Sequence, residues 1–481
     1  MFYFLPHLSN FTCFSFLNST KSFCSTGKPI LRSIPQNEST LYAATMPYLN
    51  AKLRGICVTC KAMNLTTISE SDKALVDELR VAIKDELELV PAYDDDLSLL
   101  RWLVGWDRKI DVVVPKIKFS LRAISALGLN KEDFSSIEKI TEYCDAISKP
   151  LQYLPGSLLG YDKEHNVVSL QMIGRLDTHG LMPCLRNSDL YVLRIAESEG
   201  VMNLIRMNEK LLGRQLGTTV IFDLEDLSTE MLWMPAIKVI TSMLSQLQEM
   251  FPDVIRKIFI IRSPSFIQMA WSLEMFPDVI RKIFIIRSPS FIQMAWSLVS
   301  PCLAKQTQQK VRFLGADWKE KLKECIGEDV LYENWGGTRP SDTPYGHIRT
   351  GGKIPKELRY DQSNDVPDEK LKRLNIAARS VAFVPVVVEG ENNANRRLSW
   401  WWRVESGDIG FSILRSADPS KDVAESPEDV VVRPKFRLQT EYVPEDGTVS
   451  CATPGVYKLV FDNMHGKIWS KNVKYFIEIT E

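Results

Sequence analysis

The sequence predicts a multidomain chain with a small N-terminal helical bundle, an α/β domain and a C-terminal all-β sandwich. Three observations predict this order. Apolar residues recur at helical spacing from Ser69 onward, short apolar strands alternate with helical stretches after Pro150, and only short strand candidates between turns follow residue 353. These patterns are typical of helical, α/β and antiparallel β domains respectively.

Residues 1–62 differ from the rest of the chain, because they are rich in Ser, Thr, Phe and Cys and their first acidic residue is Glu38. The start lacks the basic segment of a secretory signal, and Pro6 and His7 interrupt its apolar stretch. We therefore expect a disordered or spurious leader, with Met63 as the true start.

Residues 63–149 carry the predicted bundle. Its first helix has leucine or isoleucine at steps of four and ends before Pro91. A second helix follows the acidic run 94–96, which favours a helix N-terminus through the helix dipole, and a third begins near Asp111.

Residues 150–337 carry the predicted α/β domain, with a largely parallel sheet. Strands and helices alternate in the order strand 167–173, helix 187–212, strand 218–224, helix 231–250 and strand 282–287. The acids Asp223 and Glu225, which follow one strand, are interpreted as strand-end residues and not as a catalytic pair.

A helix predicted directly after strand 282–287 is apolar on two sides. One stripe consists of Phe291, Met294, Ala295, Leu298 and Cys302, and a second of Ile292, Trp296, Val299 and Leu303. A surface helix usually has a single apolar face. This helix is therefore either a fully buried core helix or a helix that packs on the sheet with one stripe and walls a cavity with the other.

The chain contains an internal repeat of 25 residues, since Glu249–Leu273 and Glu274–Leu298 are identical. Identity of this degree indicates a recent duplication or an exon counted twice, and not a diverged solenoid. We expect room for only one strand and one following helix. The second copy is predicted to hold the native place and the first to be surplus.

Residues 338–352 are polar, contain Gly and Pro, and are predicted to be a linker with few contacts. In the sandwich, 353–481, the run Trp400, Trp401 and Trp402 should alternate across a strand. Burial on both faces and a protein-interaction patch at Trp401 are the two interpretations of this run. The predicted strands cover 380–388, 398–404, 409–414, 435–442, 455–461 and 473–479.

Composition excludes several classes of function. A net charge of −1 argues against nucleic-acid binding, and no apolar run reaches the roughly 20 residues that span a bilayer. Nine cysteines without framework spacing suit a reducing, cytoplasmic compartment. No nucleophile, phosphate-loop, metal-ligand or cofactor motif is present, so we expect no enzyme, no metal site and no cofactor.

Several ordered motifs carry a family resemblance. They are VIFDLEDLS at 220–228, MFPDVIRKIFIIRSPSFIQMAWSLVSPCL at 275–303, TQQKVRFLG at 307–315, ENWGG at 333–337, LSWWWRVESGDIGFSI at 398–413 and PGVYKLVFDN at 454–463. The chain resembles CRAL-TRIO proteins with a C-terminal GOLD domain, the class of supernatant protein factor and tocopherol-associated proteins.

The resemblance implies a non-enzymatic protein that encloses one hydrophobic lipid and exchanges it at a membrane surface. Squalene, tocopherol, a retinoid or a phosphoinositide would fit, and the two-sided helix would be the lid. In members that transfer phosphoinositides, the positions matched by Asp278, Thr307 and Lys310 handle the headgroup, but Val279 stands where those members have Arg. An alternative is an adaptor that recruits trafficking proteins through the GOLD domain, with the lipid as regulator.

Overall fold

The computed structural model describes residues 68–227, 233–262, 283–286, 311–314, 317–418 and 423–480. All of them belong to one unit of the chain, Asn64–Glu481. The predicted leader lies outside the described residues.

The helical bundle has the predicted beginning. Ser69 Oγ accepts a hydrogen bond from the Asp72 amide at 3.1 Å, and Asp95 Oδ1 accepts one from the Ser98 amide at 2.9 Å, so the first two of the three predicted helices begin with side-chain N-caps. The last helix of the bundle was not predicted. The helices are α1 Glu70–Ala82, α2 Lys84–Leu89, α3 Asp96–Gly105, α4 Ile110–Ala126 and α5 Ile137–Ile147.

The α/β domain contains a six-stranded sheet in the order β1 to β6, in which β1 runs antiparallel to β2 and the other neighbours are parallel. Its strands are β1 Ser157–Tyr161, β2 Val167–Gln171, β3 Thr218–Asp223, β4 Ile255–Ile261, β5 Ile283–Ile286 and β6 Val311–Leu314. Its helices are α6 Thr178–Leu181, α7 Asn187–Leu212, α8 Met234–Met250 and α9 Trp318–Cys325. Among these helices and those of the bundle, none is long and apolar enough to cross a membrane.

Both copies of the repeat contribute a strand, so the expectation that only one would enter the sheet is wrong. The first copy supplies β4, which pairs with β3, and the second supplies β5, which lies between β4 and β6. Ile258 lies beside Ile283 and Phe259 beside Phe284, so residues pair with their own duplicates. A duplicated strand keeps the same alternation of side chains and the same backbone donors, and a parallel sheet can therefore accept it next to the original.

One face of the sheet is closely packed. Val168, Leu170, Ile221, Phe259 and Ile261 each expose 0% of their surface. They pack in one cluster with residues of α9 and of the segment that follows it, including Trp318, Leu322, Leu331, Tyr332 and Trp335. This face is the core that holds the C-terminal end of the domain against the sheet.

The segment 338–352 has more contacts than a linker. Ile348 is 5% exposed and belongs to the cluster on the closed face of the sheet. Arg349 pairs with Asp145 of α5 at 2.7 Å and donates through Nε to the Gly156 carbonyl at 3.0 Å. Its polar composition predicted solvent exposure, but the arginine and the isoleucine fasten it to the bundle and the sheet.

The C-terminal domain is the predicted β-sandwich, built from two antiparallel four-stranded sheets in the orders β11-β10-β13-β8 and β12-β9-β14-β7. The strands β7 and β12 were not predicted. The eight strands are β7 Lys372–Ile376, β8 Val381–Val388, β9 Arg397–Val404, β10 Asp408–Ser416, β11 Val430–Gln439, β12 Glu445–Ser450, β13 Gly455–Asp462 and β14 Lys471–Thr480.

The three consecutive tryptophans lie on β9 and are all buried. Trp400 and Trp402 belong to the large core cluster, in which the ring of Trp402 lies 5.0 Å from that of Phe411. Trp401 is only 7% exposed, and the Arg403 guanidinium lies 5.8 Å from its ring. Burial on both faces is therefore confirmed, and Trp401 offers no exposed interaction patch.

The sandwich packs on the α/β domain through α7. The ring of Tyr191 stacks on Phe436 at 5.0 Å, and its hydroxyl donates to the Arg437 carbonyl at 2.9 Å. The Ser188 amide donates to Glu445 Oε1 at 3.0 Å, so a carboxyl group of β12 caps the first turn of α7. This interface carries buried charge as well as apolar contacts.

Glu445 is 1% exposed, and burial raises its pKa to about 7. The charged groups around it are Arg433, Asp189, Arg186 and Asp446. Burial also raises the pKa of Asp189, and it lowers the pKa of Arg433. Loss of solvation thus outweighs the attraction between opposite charges at Glu445, Asp189 and Arg433. At Arg186 the neighbouring acids outweigh the loss of solvation and raise the pKa.

We expect Glu445→Gln to remove part of the pH dependence of stability. The pKa of Glu445 is higher in the folded state than its ordinary value of 4.5, so the folded state binds the extra proton. The free energy of unfolding should therefore fall as pH rises from about 4.5 to about 7, by up to about 3 kcal/mol from this group. Chemical unfolding of both proteins across this pH range measures the difference.

The exposed Glu441→Gln serves as the control and should keep the wild-type pH profile. If Glu445→Gln shows the same dependence of unfolding free energy on pH as the wild type, the pKa of Glu445 is not raised in the folded state.

Candidate functional site

None of the residues predicted to form the lipid site is among the residues that the structure describes. The predicted lid and cavity residues, Phe291, Ile292, Met294, Ala295, Trp296, Leu298, Val299 and Leu303, lie outside the described residues. The predicted headgroup residues Asp278, Thr307 and Lys310 lie outside them as well. What is described is the sheet of the same domain, including β5 and β6, which precede and follow the predicted lid in the sequence.

The face of the sheet opposite the closed core is the candidate site. Parallel register places Ser169 beside Val220 and Gln171 beside Phe222, and the same rows continue to Ile258 and Ile260 on β4. Because side chains alternate along a strand, these residues share one face. We call this set the candidate face: Ser169, Gln171, Val220, Phe222, Ile258 and Ile260.

The candidate face is less completely covered than the closed face. Val220 and Ile260 each keep 8% of their surface exposed, and Phe222 is half-buried. Their strand neighbours Ile221 and Ile261, which point to the other side, are fully buried. A well-packed core excludes water from both faces of a parallel sheet. Among the apolar residues of these strands, residual exposure is thus greater on the candidate face, as a ligand-binding wall requires.

A polar edge borders the apolar part of the candidate face. On β2, Gln171 Nε2 donates to Ser169 Oγ at 2.9 Å, and Gln171 Oε1 accepts from Arg194 of α7 at 3.1 Å. Arg194 is ion-paired with Glu197 at 2.5 Å. The face is thus polar at β2 and apolar at β3 and β4. This distribution of polar and apolar side chains suits a largely apolar molecule with one polar end.

A buried ion cluster closes the carboxyl edge of β3 and β4. Asp223 is 1% exposed, is ion-paired with Arg262, and accepts a hydrogen bond from Trp335 Nε1 at 3.0 Å. Glu225 pairs with Arg262 at 2.7 Å and with Arg175 at 3.1 Å. Both acids are engaged by cations. Asp223 ties the strand ends to Trp335 of the segment 333–337, and Glu225 joins Arg262 to Arg175.

Sequence reasoning missed Gln171, Arg194 and Arg262. A glutamine ending the apolar strand VVSLQ was a visible signal, since a polar residue in a buried strand needs a hydrogen-bond partner. Arg262 also follows its strand directly, in the motif IIRS. Its partner Asp223 lies 39 residues away, and no spacing rule connects them.

The repeat offers a matched pair of variants at this cluster. Arg262→Ala would leave Asp223 buried without its cation, so we expect a loss of about 3 kcal/mol or more in the free energy of unfolding. Arg287 is the same residue in the second copy, and Arg287→Ala leaves the Asp223–Arg262 pair in place. We therefore expect a smaller loss, measured by denaturant unfolding of both variants. A larger loss in Arg287→Ala would show that the second copy supplies the partner of Asp223.

Comparison with known proteins places the α/β domain in a family. The model of the CRAL/TRIO domain matches residues 151–275 and 273–337, and its two segments meet where the first copy of the repeat ends. Protein ctg-1 of Caenorhabditis elegans is 25% identical over 413 residues, which cover 83% of this chain and 96% of that protein. Protein real-time of Drosophila melanogaster is 26% identical over 371 residues, 74% of this chain and 50% of that protein.

The solved structure of Sfh5 matches 59% of this chain and 91% of its own, with 15% identity and a TM-score of 0.35. The family match covers the strands β1 to β6 and the segment 333–337, and the similarity to the two relatives covers most of the chain. Residues 151–337 of this chain therefore match the CRAL/TRIO domain, and the chain is similar in sequence to ctg-1 and real-time.

Proposed function

We propose that the protein binds one hydrophobic lipid against the candidate face and transfers it between membranes. The observation that supports this proposal is that Val220, Phe222 and Ile260 share one apolar face of the sheet, on which Phe222 is only half-buried, while the reverse face is closed by packing. The face lies within the CRAL/TRIO domain.

The physical basis of binding is the removal of apolar surface from water. Each Å² of apolar surface buried contributes about 25 cal/mol, and both the ligand and the candidate face lose exposed surface on contact. The polar edge at Gln171 and Arg194 would orient a ligand by its polar end, because a buried polar group needs a partner. A lipid with one small polar group fits this arrangement better than a molecule that is polar throughout.

The gate of the cavity is proposed to be the two-striped helix predicted after β5. Its stripes would cover the ligand from the side opposite the sheet, with Phe291, Met294 and Leu298 on one stripe and Ile292, Trp296 and Val299 on the other. Ala295 and Leu303 complete the proposed lining. Exchange requires the helix to move, and a helix with two apolar sides would then favour a membrane interface.

We expect Val220→Phe to block ligand uptake by filling the space in front of the candidate face. Val387→Phe, on an exposed position of the sandwich, is the matched control. Co-elution of radiolabelled squalene, tocopherol, retinol and phosphatidylinositol with the purified chain gives the measurement. For each lipid that binds the wild type, the amount that co-elutes with the protein should fall roughly tenfold or more in Val220→Phe and stay unchanged in Val387→Phe. Circular dichroism checks that both variants are folded.

The proposal fails if none of the four lipids co-elutes with folded wild-type protein. It fails equally if Val220→Phe takes up ligand as well as the wild type does.

For the headgroup, we propose that Asp278, Thr307 and Lys310 contribute without the arginine expected at Val279. An arginine would make charge-assisted hydrogen bonds to a phosphate, and valine makes none. Phosphoinositide transfer between vesicles should therefore be weak, Lys310→Ala should lower it further, and Val279→Arg should raise it. Lys305→Ala is the control for the loss of a nearby charge. Strong transfer that Lys310→Ala leaves unchanged would remove these residues from the headgroup site.

The sandwich is proposed to be a GOLD domain, on the motifs at 398–413 and 454–463 and on its two four-stranded sheets. Its contact with α7 gives it a physical connection to the lipid-binding domain, since Tyr191 and Ser188 both bond to it. A role as adaptor, in which protein partners sense the bound lipid through this contact, is the second candidate function.

A further inference from the structure

The loop between β13 and β14 exposes the most prominent apolar group of the sandwich. Ile468 and Trp469 are consecutive and each 77% exposed, and Met464 is 55% exposed. We call residues 464–470 the tip. Single exposed apolar residues are common on protein surfaces, but a clustered set that includes tryptophan marks a contact surface.

The tip is held in a fixed shape by the loop behind it. Asn463 is 3% exposed, and its Nδ2 donates to the Ile376 carbonyl at 3.2 Å, to the Ala377 carbonyl at 3.0 Å and to the Trp469 carbonyl at 3.1 Å. The Gly466 amide donates back to the Asn463 carbonyl at 2.9 Å. One buried side chain thus joins both ends of the tip to the β7–β8 turn. A preformed loop loses little conformational entropy on binding.

Positive charge surrounds the tip. No acidic residue occurs between Asp462 and Glu478, and this stretch contains three lysines. Lys467 is exposed within the tip, Arg379 is exposed on the adjacent turn, and Lys471 begins the next strand. Lys474 lies further along β14 and is paired with Asp368.

The acids near the tip are engaged by other groups. Asp462 pairs with Lys435 at 3.1 Å and Asp408 with Arg437 at 2.5 Å. Glu405 accepts a hydrogen bond from Asn472 Nδ2 at 3.1 Å. The neutral amide of Asn472 does not cancel the charge of Glu405, but Lys467, Lys471 and Arg379 outnumber this one acid, so a surplus of positive charge remains around the apolar tip.

We propose that the tip inserts into the interface of a bilayer that contains anionic phospholipid. Tryptophan and isoleucine would enter the boundary between headgroups and acyl chains, where an amphipathic indole ring is favoured. Lys467 and Arg379 would meet lipid phosphates and anionic headgroups, because basic residues next to an apolar insertion are attracted to negative surface potential. An acidic protein surface would satisfy the lysine but would leave Ile468 and Trp469 without an apolar partner.

This docking surface belongs to the sandwich and does not depend on the proposed lipid cargo. It gives the chain a membrane contact that is present before any lid moves. Binding of the protein to vesicles and the amount of lipid bound inside the protein can therefore be measured separately. Either proposal, docking by the tip or lipid binding at the candidate face, can be wrong while the other is right.

The test is co-sedimentation of the full chain with phosphatidylcholine vesicles, with and without phosphatidylserine. We expect the wild type to prefer the anionic vesicles and to lose binding as salt is raised. In Ile468→Ser combined with Trp469→Ser, the affinity for vesicles should fall roughly tenfold or more. In Lys467→Glu, the affinity should fall about fivefold, and only for the anionic vesicles. Both sites are exposed, so folding should be retained.

Two exposed apolar residues outside the tip are the matched controls. Val81→Ser with Leu211→Ser removes similarly exposed side chains, 79% and 69%, and should bind as the wild type does. In addition, brominated lipid should quench part of the tryptophan fluorescence of the wild type, and Trp469→Phe should abolish that part. Equal binding by the tip variant and the wild type, an equal loss in the controls, or no binding of the wild type to anionic vesicles would each overturn the proposal.

Discussion

The arrangement of the α/β domain depends on the contacts of one buried carboxylate, that of Asp223. It sits at the carboxyl end of β3, where Arg262 from the end of β4 and the indole of Trp335 from the closing segment converge on it. A buried charge without partners costs several kcal/mol, so the three segments must meet at this point for any of them to be stable there. This fixes the closing segment against one face of the sheet, and the opposite face is the one for which we propose a ligand.

The repeat is compatible with this arrangement because a parallel sheet can grow by a strand without changing which face each side chain occupies. β4 and β5 lie in a register that sets Ile260 beside its own duplicate, Ile285. Deleting either copy produces the same shortened sequence, so a deletion cannot tell which copy occupies the native place. Only a substitution in one copy can do so. In the structure both copies supply a strand and Arg262 of the first copy pairs with Asp223, whereas the sequence led us to expect that only the second copy would enter the sheet.

The parts of the fold that the sequence predicted are those with a strong local pattern. Helix α7 begins and ends at the predicted residues, Asn187 and Leu212, and the strands of the sandwich that carry continuous apolar residues lie within a few residues of their predicted bounds. β12, with the sequence EDGTVS, was missed because it is polar and glycine-bearing, and it becomes a strand only by pairing with Trp400 and its neighbours. The polar edge of the site was missed for a related reason, since Gln171 and Arg194 meet only after α7 packs over β2.

The central proposal is that the candidate face binds one hydrophobic molecule. Native mass spectrometry of the purified full chain tests this most directly, because it weighs the folded protein together with whatever remains bound. We expect a population whose mass exceeds that of the polypeptide by a single lipid, which is released on denaturation and identified from the organic extract. A folded chain that shows only the mass of its polypeptide, both as purified and after incubation with vesicles of mixed lipids, would contradict the account.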